Sequence, residues 1–373
     1  MSRLQFHPLR VRRVTPETAQ AVVVTLSVPP EWRQRFTFRP GQFVTLRATV
    51  QGQPVRRSYS ICSSPQRLGQ DDEIDIGIKA VDGGVFSNWA ARTLQPGDTL
   101  DVMPPDGRFT PRVVDVAAAP ATRRTHRVAF AAGSGITPIL SIIDSTLASD
   151  ATARFTLVYG NQHLSSVMFH ERLQDLKDRY PTRLSLIHLL SRQAQEIALF
   201  NGRIDAAKVR ELLEGLLPVQ DIDEAFICGP EGMIDATEGA LRAAGLPAER
   251  IHTERFVSPD APAPGARAAK AAPTTAEAPQ ADIALEIVLD GKTHAMGMSA
   301  DDHVLDAALS AGLDLPYSCK GGVCCTCRAR VLDGKVSMDR NYTLEQWEVD
   351  KGFVLTCQSR PLTQRVVISF DER

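Results

Sequence analysis

"CKGGVCCTCRA", residues 319–329, carries four cysteines within nine positions, and a fifth, Cys357, lies downstream in "VLTCQSRPLT", residues 354–363. Cys319, Cys324 and Cys327 follow the spacing C-x4-C-x2-C, which leaves Cys325 as a spare sulfur beside a ligand position. Gly321 and Gly322 sit inside the loop, where residues without a Cβ permit the tight backbone that converging thiolates require. The other two of the seven cysteines, Cys62 and Cys228, stand alone, so the set does not read as a disulfide framework. Clustered thiols point instead to metal binding or catalysis.

Around this loop the sequence spells a small module, residues 283–373. "LEIVLDGKTHAMGM" (285–298) reads as two short strands joined at Asp290-Gly291, a strong hairpin signal. "DDHVLDAALSAG" (301–312) reads as a helix with Val304, Leu305, Ala308 and Leu309 on one face and Gly312 at its C-terminal end. "RVVISF" (365–370) supplies a last strand. Upstream, "SPDAPAPGARAAKAAPTTAEAPQAD" (258–282) offers little to bury and reads as a semi-extended linker.

The part before the linker divides again. Residues 1–112 are strand-rich: "QAVVVTLSV" and "QFVTLRATV" are β-branched runs, and Ile74, Ile76 and Ile78 alternate in "EIDIGIKAV", as in a half-buried antiparallel sheet or barrel. In residues 113–257 strands alternate with helices. "HRVAFAAGSG", "RFTLVYGN", "RLSLIHLLS" and "EAFICGP" are strand candidates, with "VMFHERLQDLKDRY" and "AAKVRELLEGLL" as amphipathic helices between them. That alternation implies a doubly wound parallel sheet.

A chain of 373 residues accommodates these three units. Its net charge of −2, without basic tracts, gives no basis for binding nucleic acid or an anionic membrane. The N-terminus lacks the apolar segment of a secretory signal, and no apolar run is long enough to span a bilayer, so the expected compartment is the cytoplasm.

The cysteine spacing, with Cys357 as fourth ligand, is that of a plant-type [2Fe-2S] cluster. A structural zinc site of four cysteines and a run of buried thiols are the competing readings, although zinc ribbons favour paired C-x2-C knuckles. "FAAGSGITPIL" (130–140) places Gly133 and Gly135 after a strand, with Thr137 expected as helix N-cap and Pro138 as the first helical residue. Such a turn offers N–H groups and a helix dipole to a pyrophosphate, although a plain strand–helix turn has the same pattern. The second strand ends in Asn161 without the acid that holds an NAD ribose. Ser191, Arg192 and Arg203 follow the third strand, and guanidinium groups suit the 2′-phosphate of NADPH, while arginines merely facing solvent are the plainer reading. "RRSYSICSS" (56–64) and "GGVFSNWAA" (83–91) set an arginine, an aromatic ring and a glycine-rich helix start together as a second candidate anion site.

In their order, Arg57-Ser58-Tyr59-Ser60, Gly84-Val85-Phe86-Ser87, Gly133-Ser134-Gly135-Ile136-Thr137-Pro138 and Cys228-Gly229-Pro230-Glu231-Gly232-Met233 resemble the flavin and pyridine-nucleotide motifs of the ferredoxin-NADP reductase superfamily. With a plant-type ferredoxin fused behind them, the whole chain is similar to oxygenase reductases. "DEAFICGPEGM", "LPYSCKGGVCCTC" and "VLTCQSRPLT" carry the closer likeness within that group. The resemblance implies an antiparallel β-barrel FAD domain, a doubly wound NADP domain and a β-grasp ferredoxin domain. It implies FAD contacts at Arg57, Ser58, Tyr59, Ser60, Ile78, Lys79, Gly84, Val85, Phe86 and Ser87. Gly133, Ser134, Gly135, Thr137 and Pro138 would line the nucleotide pyrophosphate, with Cys228, Gly229, Pro230 and Met233 beside the nicotinamide. Glu254 and Phe256, in "ERF", resemble an element that reaches back to the flavin. Catalytic roles would fall to Ser60, Cys228 and Glu254, and a cysteine at position 325 departs from the family.

The reaction so implied carries electrons from NADPH through FAD and the cluster to an oxygenase with a di-iron subunit. A flavin is needed between the outer carriers, because nicotinamide yields two electrons at once and a [2Fe-2S] cluster takes one. The linker would let the ferredoxin module visit the flavin and then the partner. A reductase for a ring-hydroxylating oxygenase and a non-catalytic redox sensor remain as other readings; a sensor would have no use for a nucleotide loop.

Overall fold

β-branched runs broken by turn residues build the first six strands: β1 (His7–Thr18), β2 (Ala21–Ser27), β3 (Phe43–Val50), β4 (Gln53–Ser60), β5 (Glu73–Lys79) and β6 (Thr99–Val102). The computed structural model describes residues 5–112, 125–256 and 283–372, which form two compact units, one running to Phe256 and the other starting at residue 283. The Ala/Pro-rich stretch 258–282 and the expected domain change near residue 113 fall outside the described residues.

The six strands pair antiparallel in the order β4-β3-β6-β1-β2-β5. The two edges then meet, because Ile61 just past β4 bridges Ile76 and the Cys62 N–H donates to the Asp75 carbonyl at 2.8 Å. Closure removes the unpaired edge and makes a barrel around Leu9, Val24, Leu46, Ile74, Ile76 and Ile78. Each such fully buried side chain contributes about 1.5–3 kcal/mol. Helices α1 (Pro65–Asp71) and α2 (Val85–Thr93) follow β4 and β5.

β5 departs from the half-buried strand that its alternation predicts. Ile74, Ile76 and Ile78 face the barrel core, yet Glu73, Asp75 and Gly77 on the other face are buried as well. The next domain covers that face: Thr137 and Phe169 lie against Gly77, and the Arg172 guanidinium is 4.0 Å from Asp75. A polar residue on a strand therefore marks an interface here, not solvent.

The strands β7 (His126–Ala132), β8 (Arg154–Asn161), β9 (Leu184–Leu190), β10 (Glu224–Gly229) and β11 (Ile251–Arg255) form a parallel sheet in the order β11-β10-β7-β8-β9. Helices α3 (Ile136–Ser149) and α4 (His170–Arg179) cover one face, and α5 (Ala206–Gly215) and α6 (Glu231–Ala243) the other. The order reverses between β7 and β10, and ligands of such sheets bind in the crevice at that point. The structure shifts two expected helix starts. α3 begins at Ile136, after a short 3-10 turn over Gly133–Gly135, with Gly135 at its N-cap; Thr137 and Pro138 lie inside the first turn, where a missing N–H costs nothing. The helix expected from Val167 begins at His170, because Phe169 is left-handed (φ 60°) and residues 167–169 are buried as apolar packing.

The second unit follows its expected hairpin: Asp290 (φ 50°) and Gly291 (φ 73°) turn β12 (Ile283–Leu289) into β13 (Lys292–Met298). α7 (Val304–Ser310) follows and ends before Gly312 at φ 89°. Beyond the cysteine loop come β14 (Arg328–Asp333), β15 (Val336–Met338), α8 (Gln346–Asp350), β16 (Phe353–Leu355), β17 (Ser359–Pro361) and β18 (Arg365–Ser369). β15 and β17 form a separate pair, and the main sheet runs in the order β13-β12-β18-β14-β16 with β12 and β18 parallel, which is a β-grasp.

One buried ion group braces the parallel sheet. Glu224 accepts from Arg127 at 2.8 Å, lies 3.0 Å from His252 Nε2, and accepts the Arg112 N–H at 3.0 Å. Burial pushes its carboxyl upward, but these three partners together hold it below the usual carboxylate range. Its stabilisation is therefore full above the unfolded value near 4.5 and lost as pH falls through the depressed folded value. Glu224→Gln strands a buried guanidinium, so denaturant unfolding should show a loss of about 3–5 kcal/mol at neutral pH. The variant should also lack the part of the acid-induced loss that the wild-type carboxylate supplies.

Candidate functional sites

Three clusters lie at the ends of strands and helices and in the cysteine loop. The first lies where β4 and β5 meet α2. Tyr59 packs against Phe86 with ring centroids 5.6 Å apart, and Phe86 against Trp89 at 5.4 Å, so the aromatic ring at the strand end is fixed from one side. Ser58 Oγ pairs with Thr45 Oγ1 at 3.3 Å, Arg57 Nη1 donates to the Arg56 carbonyl at 2.7 Å, and Ser60 is buried at the end of β4. At the start of α2, a Cβ on Gly84 would lie 2.4 Å from Ser87 Oγ, so only glycine lets the chain turn this closely around the hydroxyl. Asn88 holds the turn by donating to the carbonyls of Val81 (2.8 Å) and Gly84 (2.7 Å), a role no motif in the sequence announced. Val85 is exposed and Phe86 buried. Ile78 points into the barrel core, so any ligand contact from this residue is through its backbone.

The second cluster is the crevice between β7 and β10. Gly133 is left-handed (φ 54°), and Tyr159 donates its hydroxyl to the Gly133 carbonyl at 2.8 Å. The Thr137 hydroxyl donates to the Ser134 carbonyl at 3.0 Å, so it ties the turn together instead of capping α3. A Cβ on Gly135 would lie 2.1 Å from the Cys228 carbonyl oxygen, which makes Gly135 the residue that lets the loop close onto β10. Burial, and then the charge of Glu254, push the Cys228 thiol well above its ordinary value, so it stays a neutral thiol and no nucleophile. Glu254 lies directly beside it in β11, and Phe256 is exposed just past that strand. Gly229 makes room for Met233, whose Cε would be 2.7 Å from an added Cβ, and Pro230 caps α6. From the barrel, Lys79 brings its ammonium to 3.7 Å from the Cβ position of Gly133. At the far edge of the sheet Ser191 N–H donates to Asn161 O at 3.0 Å and Arg192 N–H to Gln162 O at 2.9 Å. Leu190 bridges Asn201, which brings Arg203 to the same end. Arg192 and Arg203 are exposed, and among the described residues neither makes an ion pair.

The third cluster is the cysteine loop. Cys319, Cys324, Cys327 and Cys357 are buried at 7%, 7%, 2% and 3% exposure, and the residues that bring them together are Lys320 (φ 50°), Gly322 (φ 78°) and Cys325 (φ 56°), all left-handed. All four belong to one cluster of buried thiols that influence one another's charge, Cys319 with Cys324 and Cys327 with Cys357 most strongly. Backbone amides add to the first pair, with Gly321 N–H 3.3 Å from Cys319 Sγ. The Cys324 bond first, against burial and with the amides of Gly321, Val323 and Cys324, brings the Cys319 thiol down to about 6. Gln358 Nε2 reaches Cys357 Sγ at 3.6 Å and the Lys320 carbonyl at 3.0 Å. Among the described residues no three His, Cys, Asp or Glu converge as a single ion requires. Four buried thiols with a backbone amide aimed at sulfur fit the sulfur donor set of an iron–sulfur cluster. Cys325 turns outward and donates to Thr343 Oγ1 at 2.9 Å.

The fold and these sites define an oxidoreductase that joins a flavin domain, a nicotinamide-nucleotide domain and an iron–sulfur domain in one chain. Residues 10–110 match the oxidoreductase FAD-binding domain, 130–239 the oxidoreductase NAD-binding domain and 287–362 the 2Fe-2S iron-sulfur cluster binding domain. The chain is 43% identical over 369 residues to a subunit of the 1,2-phenylacetyl-CoA epoxidase of Escherichia coli (strain K12), covering 99% of this chain and 98% of that protein. It is 35% identical to the ferredoxin reductase component of 3-ketosteroid-9-alpha-monooxygenase of Rhodococcus rhodochrous, covering 97% and 96%. Phthalate dioxygenase reductase, at 19% identity and a TM-score of 0.57 with 98% of each chain covered, shares the three-domain fold. The chain belongs to the family of oxygenase reductase components, carries FAD, NAD(P)H and [2Fe-2S] sites, and passes electrons to an oxygenase. No helix among the described residues is long and apolar enough to cross a membrane.

The burial of Cys357 among the loop thiols and the Cys325–Thr343 bond predict opposite outcomes for these two cysteines. Cys357→Ser should lose the native cluster absorbance and EPR signal, while flavin reduction persists. Cys325→Ala should keep the cluster and lose the Thr343 bond, worth about 0.5–1.5 kcal/mol in unfolding.

Proposed function

We propose that the chain is the NADPH-driven reductase of a di-iron oxygenase of the phenylacetyl-CoA epoxidase type, working in the cytoplasm. The observation that carries this reading is the near full-length, 43% identity to the E. coli epoxidase component. The 35% identity to a ketosteroid monooxygenase reductase keeps another oxygenase as the second reading.

The proposed roles follow from the contacts. Arg57, with the amides at Gly84 and the Ser87 hydroxyl, binds the flavin phosphates; Ser58 and the backbone of Ile78 line the same groove, with Val85 and Phe86 at its helical wall. Tyr59, held by Phe86, supplies a flat face for the isoalloxazine, and Ser60 donates a hydrogen bond beside its reactive nitrogen. Gly133, Ser134, Gly135 and Thr137, with Pro138 in the first turn of α3, cradle the dinucleotide pyrophosphate, and Lys79 adds a positive charge from the barrel side. Cys228, neutral because it is buried, packs beside the nicotinamide without reacting, and Gly229, Pro230 and Met233 shape that wall. Glu254 and Phe256 close the site from β11. Bound flavin accepts two electrons as hydride and releases them one at a time, which joins a two-electron donor to a one-electron cluster. Cys319, Cys324, Cys327 and Cys357 hold that cluster.

Ser191, Arg192 and Arg203 bind the 2′-phosphate, since the site offers guanidinium groups where an NAD-specific fold offers a carboxylate. Arg192→Ala and Arg203→Ala should each raise KM for NADPH about tenfold, the size of one lost charged hydrogen bond, and leave KM for NADH nearly unchanged. Equal effects on both nucleotides would remove the NADPH assignment. Steady NADPH oxidation coupled to turnover by a purified di-iron oxygenase subunit, set against a ring-hydroxylating oxygenase, tests the partner.

A further inference from the structure

Gly77 lies in the middle of β5, on the face turned away from the barrel core, and no sequence motif claims it. A Cβ built there would meet Thr137 Cγ2 at 2.7 Å, Phe169 Cζ at 3.1 Å and Met168 Cε at 3.5 Å. The first distance is at least 0.7 Å below ordinary van der Waals contact, which begins at 3.4 Å. Thr137 has no freedom to yield: it is β-branched, 2% exposed, and its hydroxyl is bonded to the Ser134 carbonyl at 3.0 Å. Phe169 is 2% exposed, and its N–H donates to Glu17 Oε1 at 2.5 Å.

The strand that carries Gly77 also shapes both cofactor sites. Two residues on, Lys79 reaches the Gly133 turn, and β5 leads through the Gly84 turn into α2. Thr137 belongs to the nucleotide loop itself. The barrel and the parallel sheet therefore touch, backbone to side chain, at a position where a missing Cβ lets them come together beside both sites.

The geometry points to Gly77 as a positioning residue that sets the separation of flavin and nicotinamide, an inference resting on the hydride-transfer reading above. A methyl group there moves the barrel off the nucleotide loop by several tenths of an ångström or more. Misplacing reacting groups by about 1 Å costs up to ~10²-fold in rate without requiring weaker binding.

The test compares the full-length holoprotein with Gly77→Ala, Thr137→Ser, the double variant and Gly69→Ala, whose added methyl meets nothing within 4 Å. Anaerobic stopped-flow bleaching of FAD by saturating NADPH, with and without deuterium at the transferred hydrogen, reads the hydride step. FAD content, KM for NADPH and thermal unfolding are read alongside. Gly77→Ala should keep FAD and a near-normal KM, slow bleaching by about ten- to a hundredfold, and show an isotope effect at least as large as wild type. Thr137→Ser deletes only the Cγ2 methyl, so the double variant should recover much of the melting temperature lost in Gly77→Ala. Relative to Thr137→Ser alone, the double variant should still be several-fold slow, because Phe169 Cζ remains in the way. That comparison holds even if Gly77→Ala by itself fails to fold. Bleaching by Gly77→Ala at the rate of Gly69→Ala, a double variant as fast as Thr137→Ser, an effect confined to KM, or no thermal recovery in the double variant would each overturn the inference. Failure of the wild-type protein to bleach with either nucleotide would instead overturn the functional reading.

Discussion

Burial of β5 on both faces is the constraint from which the first unit is organised. Its isoleucine face closes the barrel core, and its opposite face, Asp75 and Gly77, is covered by α3 and α4 of the parallel sheet. A buried carboxylate between two domains needs partners, and Asp75 has them: Thr25 Oγ1 at 2.7 Å, Arg67 Nε at 3.2 Å and Arg172 at 4.0 Å. Nearby, Ser141 Oγ donates to the Ser63 carbonyl at 2.7 Å. The contact between domains thus combines buried polar bonds with a close approach at Gly77. An arrangement of directional bonds around a close steric contact defines a separation more sharply than an apolar face, which tolerates sliding.

The chemistry explains why sharp definition matters in one half of the molecule. Hydride transfer requires the reacting atoms to approach to about 3–3.5 Å, so flavin and nicotinamide sites must share one rigid body. The first unit meets that demand, with Lys79 and Gly77 of the barrel both touching the nucleotide loop. In the second unit the demand falls on the ligand sulfurs instead. Three left-handed positions, two of them not glycine, curl the loop so that amides point at sulfur. Backbone strain at Lys320 and Cys325, of order 1–3 kcal/mol each, persists because the surrounding bonds over-determine it. Lys320 is pinned to Asp306 at 2.7 Å, and Cys325 to Thr343 at 2.9 Å.

Much of this is legible from residue order alone. The cysteine spacing, the Asp290-Gly291 hairpin, the strand–helix alternation and the glycine turns each express a local rule, and local rules survive without knowledge of the fold. The departures are of another kind. Thr137 and Pro138 look like cap and first helical residue, but the 3-10 turn over 133–135 moves the helix start by two residues and gives the hydroxyl a different partner. Asp75 and Gly77 look like the solvent face of a strand, because alternation reports two faces without saying what covers the second. Asn88 holds the α2 turn from a position where any polar residue would read the same. The first and last are local hydrogen bonds and the second a contact between domains, and none of them is reported by periodicity.

Cys228 shows how far the same logic reaches. A cysteine at the crevice of a parallel sheet invites a nucleophilic role, yet its burial and the nearby Glu254 charge both oppose the thiolate. The position is one of close packing: its carbonyl lies against Gly135, its side chain is fully buried, and its strand neighbours are Ala131 and Glu254. Cys319, by contrast, is drawn down to about 6, first by the Cys324 side chain and then, against burial, by the amides of Gly321, Val323 and Cys324. The two sulfurs differ through their surroundings: Cys228 meets burial and a like charge, whereas Cys319 sits in a loop whose Gly321 amide faces its sulfur.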